Sequence, residues 1–182
     1  RGWEADFVIS SWNDGDFSAR LHAEGIPFRK LPIGFIAASL SWRYLRMTLE
    51  QAWRTPGLLL GYSRFLATFR PARVVHTNWH HLLLLLPFLR PSRDFLWAHE
   101  IFPSTPQYRR LFRIFESRVY SFVCVSQAVA RSLLAIGVAP ERVRVVRNGI
   151  EDPLGSQATE TGERRGSSEF LRVGIVGQVG EW

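Results

Sequence analysis

The sequence is short of cysteine and of long apolar runs, and each shortage excludes a class of protein. Cys124 is the single cysteine among 182 residues, so the chain forms no internal disulfide and is not a disulfide-rich scaffold. The longest apolar run, residues 82–89, includes Pro87 and is far shorter than the roughly 18 apolar residues of a membrane-spanning helix. A single cysteine also suits a reducing compartment, so we expect a cytoplasmic protein.

Lysine is nearly absent as well, although the chain is strongly basic. Lys30 is the only lysine among 23 basic residues, against 16 acidic ones, which leaves a net charge of +7. Such an excess allows anionic partners: phosphates, phospholipid headgroups or nucleic acid. Because the sequence contains neither a nucleic-acid recognition motif nor a basic and aromatic repeat, we expect no nucleic-acid partner.

Short apolar runs alternate with longer amphipathic ones, and this alternation predicts the fold. We expect strands at residues 5–10, 26–31, 73–78, 94–98, 120–125, 143–146 and 171–177. We expect helices at residues 17–23, 41–69, 80–89, 107–117 and 127–136, the second of them broken at Thr55-Pro56-Gly57. Strands that alternate with helices favour right-handed crossovers, and therefore an α/β fold with a doubly wound parallel sheet.

The composition divides the chain into two unequal parts. Residues 1–150 carry most of the predicted elements and form one Rossmann-like domain. Residues 151–170 have no apolar periodicity and are typical of a solvated linker. Residues 171–182 begin a second domain with a buried strand and a glycine turn. Since both ends of the sequence are abrupt, we expect this chain to be part of a longer protein, incomplete at both ends.

The candidate site residues follow the predicted strands, because ligands bind beyond the carboxyl ends of parallel strands. The residues that follow the strands are 10–14, 76–78, His99, Glu100, 126–127, Asn148 and Gly149. From these we select Asn78, His99, Glu100, Ser126, Asn148 and Gly149 as candidate site residues. A histidine at such a position can donate a hydrogen bond or move a proton near neutral pH, and Glu100 could orient it or contact a hydroxyl. The alternative is a loop histidine that is hydrogen-bonded to the backbone.

Three further features have both a functional and a structural interpretation. His76, His80 and His81 lie close in sequence. His76 lies on a predicted strand and His80 at the start of a predicted helix, so they do not share one face, and we expect no metal site. Ser126 could bind an anion or a sugar hydroxyl at a helix start, or simply cap that helix. Gly177 and Gln178 lie in a glycine turn that would let a ligand approach the backbone.

The predicted helix at residues 107–117 is basic and amphipathic. Arg109, Arg110 and Arg113 occupy its polar side, and leucine, isoleucine and phenylalanine its apolar side. Such a helix can lie on an anionic membrane surface, or it can cover a core with its charges in solvent.

Three segments resemble the N-terminal domain of group 1 (family 4) glycosyltransferases, which have the GT-B fold. These are Val123-Cys124-Val125-Ser126-Gln127-Ala128-Val129-Ala130, Gly137-Val138-Ala139-Pro140-Glu141-Arg142-Val143 and Val145-Val146-Arg147-Asn148-Gly149-Ile150. Residues 171–182 are similar to the first strand and loop of that family's C-terminal domain. The chain departs from the family at Glu151-Asp152, where Asp usually follows directly, and at Gln178, where Arg is common.

The resemblance implies transfer of a sugar from a nucleotide-sugar donor to an acceptor, a polysaccharide, lipopolysaccharide or lipid-linked glycan. It implies retention of configuration and no required metal or other cofactor. His99 matches the cleft histidine of the family, and Asn148-Gly149 its interdomain hinge. Because the donor residues lie in the C-terminal domain, we expect this chain alone to be inactive, and the whole enzyme to be cytoplasmic or peripheral on the inner membrane face. Two alternatives are a non-catalytic α/β binding subunit and a nucleotide-sugar epimerase of GT-B shape.

Overall fold

The computed structural model describes residues 5–11, 16–34, 36 and 42–149, apart from the side chain of Arg43. The predicted linker and the predicted strand at 171–177 lie outside this part of the chain. Six strands are described: β1 Phe7–Ser10, β2 Phe28–Leu31, β3 Val74–His76, β4 Asp94–Ala98, β5 Ser121–Cys124 and β6 Val143–Val145. Five α-helices are described: α1 Phe17–Ala23, α2 Trp42–Phe69, α3 Trp79–Leu84, α4 Pro106–Glu116 and α5 Gln127–Ala135. The α/β class predicted from the sequence is confirmed.

The described strands form two sheets, and every pair within them is parallel. β1 pairs with β2, with Phe7 opposite Phe28. The strands β3, β4, β5 and β6 form a four-stranded sheet in chain order. Because parallel neighbours cannot be joined by a tight turn, α3, α4 and α5 connect these four strands. The carboxyl ends of all four strands therefore lie along one edge of the sheet.

One face of the four-stranded sheet carries the larger core. Leu96 and Ala98 of β4 lie opposite Phe122 and Cys124 of β5, and all four are at most 2% exposed. Helices α4 and α5 add further buried side chains to this core: Phe112, Phe115, Val129, Ala130 and Leu133. Each buried phenylalanine, valine or leucine side chain stabilises the fold by about 1.5–3 kcal/mol, which holds the crossover helices against the sheet.

Helix α2 runs without interruption from Trp42 to Phe69, so the predicted break at Thr55-Pro56-Gly57 is wrong. Pro56 has no N–H to donate to the carbonyl of Ala52, but both residues are exposed, so water can bind that carbonyl. The buried side chains of the helix continue on both sides of the proline: Gln51, Leu58, Tyr62 and Phe65. Leu58, Tyr62 and Phe65 pack in a second core with Ile33, Leu84 and Leu85, and this packing outweighs the local cost of proline, about 3 kcal/mol.

Helix ends follow the capping residues of the sequence. Helix α5 ends as predicted before Gly137, whose φ of +95° lies in the left-handed region that glycine enters without a Cβ clash. The helix predicted at 80–89 is shorter than expected: α3 ends at Leu84, and a 3₁₀ turn over Leu86–Phe88 follows. Pro87, in that turn, cannot supply the N–H that a longer α-helix would need.

A fully buried carboxylate links β3 to β4. Asp94 is 0% exposed, and its Oδ1 lies 2.8 Å from Nε2 of His76. Its Oδ2 accepts hydrogen bonds from Nε of Arg93 at 3.0 Å and from the backbone N–H of Arg90 at 2.9 Å. Arg93 also donates to the carbonyl of Phe88, so one network ties the loop after α3 to both strands. The burial of a charge is costly unless it is paired and hydrogen-bonded, and here both oxygens have partners.

Replacing this carboxylate is expected to destabilise the fold strongly. Asp94→Ala leaves the buried His76 and the partly buried Arg93 without this acceptor, and the cost of breaking a buried ion pair is about 3–5 kcal/mol. Chemical denaturation of the full chain measures the free energy of unfolding. The matched control is Asp16→Ala, since Asp16 is exposed and its side chain does not cap α1. An equal decrease in the free energy of unfolding in the two variants would contradict a special role for Asp94.

Candidate functional site

A cleft of about 240 Å³ lies at the carboxyl ends of β3 and β4. Its lining residues are Thr77, Asn78, Trp79, Leu96, Trp97, Ala98, His99, Glu100 and Phe102. Three of the predicted site residues, Asn78, His99 and Glu100, are therefore brought together at one place. The cleft is smaller than the roughly 300–1,000 Å³ of sites that hold drug-sized ligands, so it suits one small group.

Asn78 is held rigidly at the β3 side of the cleft. It is the N-cap of α3, and its Oδ1 accepts hydrogen bonds from the backbone N–H of His80 at 2.9 Å and from Nδ1 of His80 at 2.7 Å. With its oxygen occupied, the side chain offers a ligand the two hydrogens of Nδ2. Asn78 is therefore a fixed hydrogen-bond donor, which is suited to a hydroxyl or phosphate oxygen.

His99 and Trp97 project from the end of β4 and its following loop. The two rings lie 5.1 Å apart with a tilt of 39°, and His99 is exposed whereas Trp97 is half-buried. The indole Nε1 of Trp97 is buried and has no hydrogen-bond partner within the part of the chain that the structure describes. The aromatic neighbour limits the orientations of the imidazole and leaves its ring nitrogens available at the mouth of the cleft.

Glu100 adds a carboxyl group whose pKa is raised. The residue keeps part of its surface exposed, yet burial raises the pKa of this carboxyl above its ordinary 4.5. Burial raises the pKa of the Tyr108 phenol on α4, and the nearby charge of Glu100 raises it further. Tyr108 also contacts Trp79 and Phe102, with ring centroids 5.8 and 6.0 Å away. An imidazole, a carboxyl and a fixed amide beside aromatic rings can bind a polyhydroxylated ligand and shift protons on it.

Ser126, another predicted site residue, is not among the residues that line this cleft. Ser126 caps α5, and its Oγ accepts the hydrogen bond of the Val129 N–H at 3.2 Å, as the structural interpretation predicts. Asn148 and Gly149 follow β6 and are exposed. Gly177 and Gln178 lie outside the described residues, so the structure says nothing of their role. Any part of Asn148 or Gly149 in a hinge stays a prediction.

The three neighbouring histidines have separate surroundings. His76 binds Asp94, and His80 binds Asn78. Burial lowers the pKa of His81 to about 4, with a further contribution from His76 and His80, so His81 is neutral at neutral pH. Among residues 5–11, 16–34, 36 and 42–149, no three His, Cys, Asp or Glu side chains are grouped as metal ligands would be.

Sequence reasoning missed the aromatic walls of the site. Trp79, Trp97, Phe102 and Tyr108 surround the polar residues, yet none was selected from the sequence. Trp97 lies within a strand, and Tyr108 lies eight residues after Glu100 on another element. Strand alternation offered one usable signal, because Trp97 occupies the face of β4 opposite to Leu96 and Ala98 and so could not belong to the same core.

The sequence profile described as Glycosyltransferase Family 4 matches residues 1–152 of the chain. None of the curated proteins compared matches significantly. Among solved structures, the chain is similar to the crystal structure of Anabaena Alr3699/HepE in complex with UDP and glucose. The TM-score is 0.50 at 14% sequence identity, a likeness of fold alone. The alignment covers 81% of this chain and 45% of the Anabaena chain, so this chain spans less than half of the length of that protein.

Glu100→Gln is expected to remove a pH-dependent loss of stability. A carboxyl whose pKa is raised on folding holds its proton more tightly in the folded state, so the free energy of unfolding falls as the pH rises from 4.5 through the raised pKa. The glutamine variant should lack this fall and be more stable than the parent above that window. Denaturation at a series of pH values measures it, with Glu141→Gln on an exposed turn as the control. Parallel pH profiles for parent and Glu100→Gln would refute the burial of this carboxyl.

Proposed function

The chain belongs to glycosyltransferase family 4, and from this membership we propose that it supplies the acceptor half of an enzyme that transfers a sugar from a nucleotide-sugar donor. The observation that carries the proposal is the cleft, in which Asn78, His99 and Glu100 meet beyond the ends of β3 and β4. In parallel sheets this edge is where ligands bind. The UDP and glucose in the similar Anabaena structure support a nucleotide-sugar donor.

In the proposed reaction the bond from the anomeric carbon to the donor phosphate breaks, and a bond to an acceptor hydroxyl oxygen forms. The nucleoside diphosphate leaves with the bonding electrons, and the hydroxyl proton is released. The transition state carries positive charge on the sugar, and fixed polar groups placed against it lower its free energy. We assign the donor site to a C-terminal domain and propose that the anomeric configuration is retained.

The cleft residues have separate roles in this scheme. Asn78 donates a hydrogen bond to a sugar or phosphate oxygen, since its own oxygen is occupied by His80. His99 contacts the reacting sugar at the mouth of the cleft and can hold or pass on a proton. Glu100 accepts hydrogen bonds from acceptor hydroxyls. The aromatic rings of Trp79 and Trp97 exclude water from one side, which strengthens these polar contacts.

His99→Ala, made in the whole enzyme, is expected to lower kcat for sugar transfer by about 100- to 10,000-fold, the usual contribution of a positioned proton-transfer group. Mass spectrometry of the glycosylated acceptor measures it. The matched control is His22→Ala, because His22 is exposed on α1 and does not line the cleft.

The same assay separates the alternatives. Free isomerised nucleotide sugar, without a glycosylated acceptor, would identify an epimerase. Donor binding without any turnover would identify a binding subunit. The 182-residue chain alone is expected to be inactive, so measurable transfer by it would contradict the assignment of the donor site to a second domain.

We further propose that the acceptor is a glycan or lipid-linked sugar at the inner membrane face, reached through the arginines of α4. Arg109, Arg110 and Arg113 are all exposed, whereas Phe112 and Phe115 of the same helix are buried. The helix therefore packs on the core with its apolar side and leaves its charge outward. Each arginine near an anionic bilayer contributes about 1 kcal/mol to binding.

Replacing all three arginines with glutamine is expected to weaken binding to vesicles containing phosphatidylglycerol by about 100-fold at low salt, that is by about 3 kcal/mol. Co-sedimentation of the full chain measures this. A control with the same loss of charge, Arg20, Arg144 and Arg147 to glutamine, should bind nearly as the parent does, since these exposed residues lie off α4. Equal weakening in both triple variants would mean that only net charge matters.

A further inference from the structure

His80 contacts two residues of the cleft, although it is not among the residues that line it. It lies in the first turn of α3 and is 7% exposed. Its Nδ1 lies 2.7 Å from Oδ1 of Asn78, and its ring stacks on that of Trp79, with the centroids 3.7 Å apart and a tilt of 29°. Asn78 and Trp79 both line the cleft, so one buried ring supports a polar and an aromatic part of its wall.

Two hydrogen bonds determine the orientation of the Asn78 amide. The backbone N–H of His80 donates to this amide at 2.9 Å, and because a backbone N–H is always a donor, the accepting atom is the amide oxygen. The ring nitrogen Nδ1, which lies 2.7 Å from the same oxygen, must then carry a hydrogen. A flipped amide would turn its own hydrogens toward these two donors. The amide therefore has one orientation, with Nδ2 on the side away from His80.

We propose that His80 is a positioning residue, which holds the Asn78 amide so that the cleft selects a ligand oxygen able to accept a hydrogen bond. The proposal rests on the proposed function, in which Asn78 meets a sugar or phosphate oxygen. Asn78 itself is exposed, so its Nδ2 hydrogens can reach a ligand. A ligand that presents an N–H group at this point would place donor against donor, and such a mismatch is how a site rejects a wrong partner.

The alternative is that His80 only fills space in the interior. Leu82 and Leu84 of the same helix are buried apolar side chains, and an apolar residue at position 80 would need no hydrogen-bond partner. Space filling therefore does not require an imidazole, whereas a second donor to Oδ1 of Asn78 does. His80→Phe separates the two roles, because phenylalanine keeps a ring beside Trp79 and removes the Nδ1 hydrogen.

The first test is NMR of the full chain labelled with nitrogen-15, which observes Nδ1 of His80 and Nδ2 of Asn78 directly. We expect Nδ1 to carry a hydrogen, and the Nδ2 hydrogens to shift on titration with methyl β-D-glucopyranoside or with inorganic phosphate. A shift with the glucoside identifies a sugar hydroxyl as the ligand oxygen, and a shift with phosphate a phosphate oxygen. An Nδ1 without hydrogen, or Nδ2 signals that neither probe moves, would overturn the proposal. Because no sugar is transferred, failure of the proposed reaction leaves this measurement unaffected.

Asn78→Asp tests the orientation of the amide. Aspartate keeps the cap of α3 and an acceptor for Nδ1 of His80, but it replaces the Nδ2 donor with an oxygen. The variant is expected to bind the probe that the parent binds about tenfold more weakly, a loss of about 1.4 kcal/mol, and to keep the thermal stability of the parent. Gln107→Glu makes the same change at an exposed amide of α4 and should bind as the parent does.

His80→Phe tests the positioning itself. It is expected to weaken binding of the same probe by about three- to tenfold in the parent, the contribution of one hydrogen bond. In the Asn78→Asp background it should cause no further loss, because the donor that His80 holds is already absent. Additive losses, or no loss in the parent, would show that His80 does not act through Asn78. His22→Phe, at an exposed position on α1, is the control. If His80→Phe does not fold, the NMR signals and Asn78→Asp decide the question.

Discussion

The buried carboxylate of Asp94 is the constraint on which the arrangement of the site depends. It stands at the start of β4, and β3 and β4 have only three and five residues. Such short strands fix their relative register with few ladder hydrogen bonds. The pairing of Asp94 with His76 and Arg93 adds a side-chain link between the two strands. A change of register between β3 and β4 would leave the buried charge of Asp94 without its partner on β3, so this register is strongly favoured.

The cleft depends on that register because its polar residues lie one or two positions beyond the same strands. Asn78 follows β3 by two residues, and His99 follows β4 directly. A shift of one residue between the strands would move these side chains by more than 3 Å and turn them to opposite faces. The buried pairing of Asp94 at one end of the strands thus fixes the positions of the cleft residues at the other end.

Much of this architecture could be predicted from the sequence because its signals are local. Helix α1 and strand β4 have the predicted bounds, and Gly137 ends α5 as expected. Asn78, His99 and Glu100 could be placed at one edge because the carboxyl ends of parallel strands always meet there. What could not be predicted depends on distant contacts. The continuity of α2 through Pro56 follows from packing against Leu84 and Leu85, and the aromatic walls include contacts of Tyr108 on α4 with Trp79 and Phe102.

Helix α2 shows most clearly how distant contacts decide local structure. A helix of 28 residues interrupted by proline needs tertiary packing to stay continuous, and the inner face with Leu58 and Tyr62 provides it. That packing uses only one side of the helix, and a polar outer side would serve stability equally well.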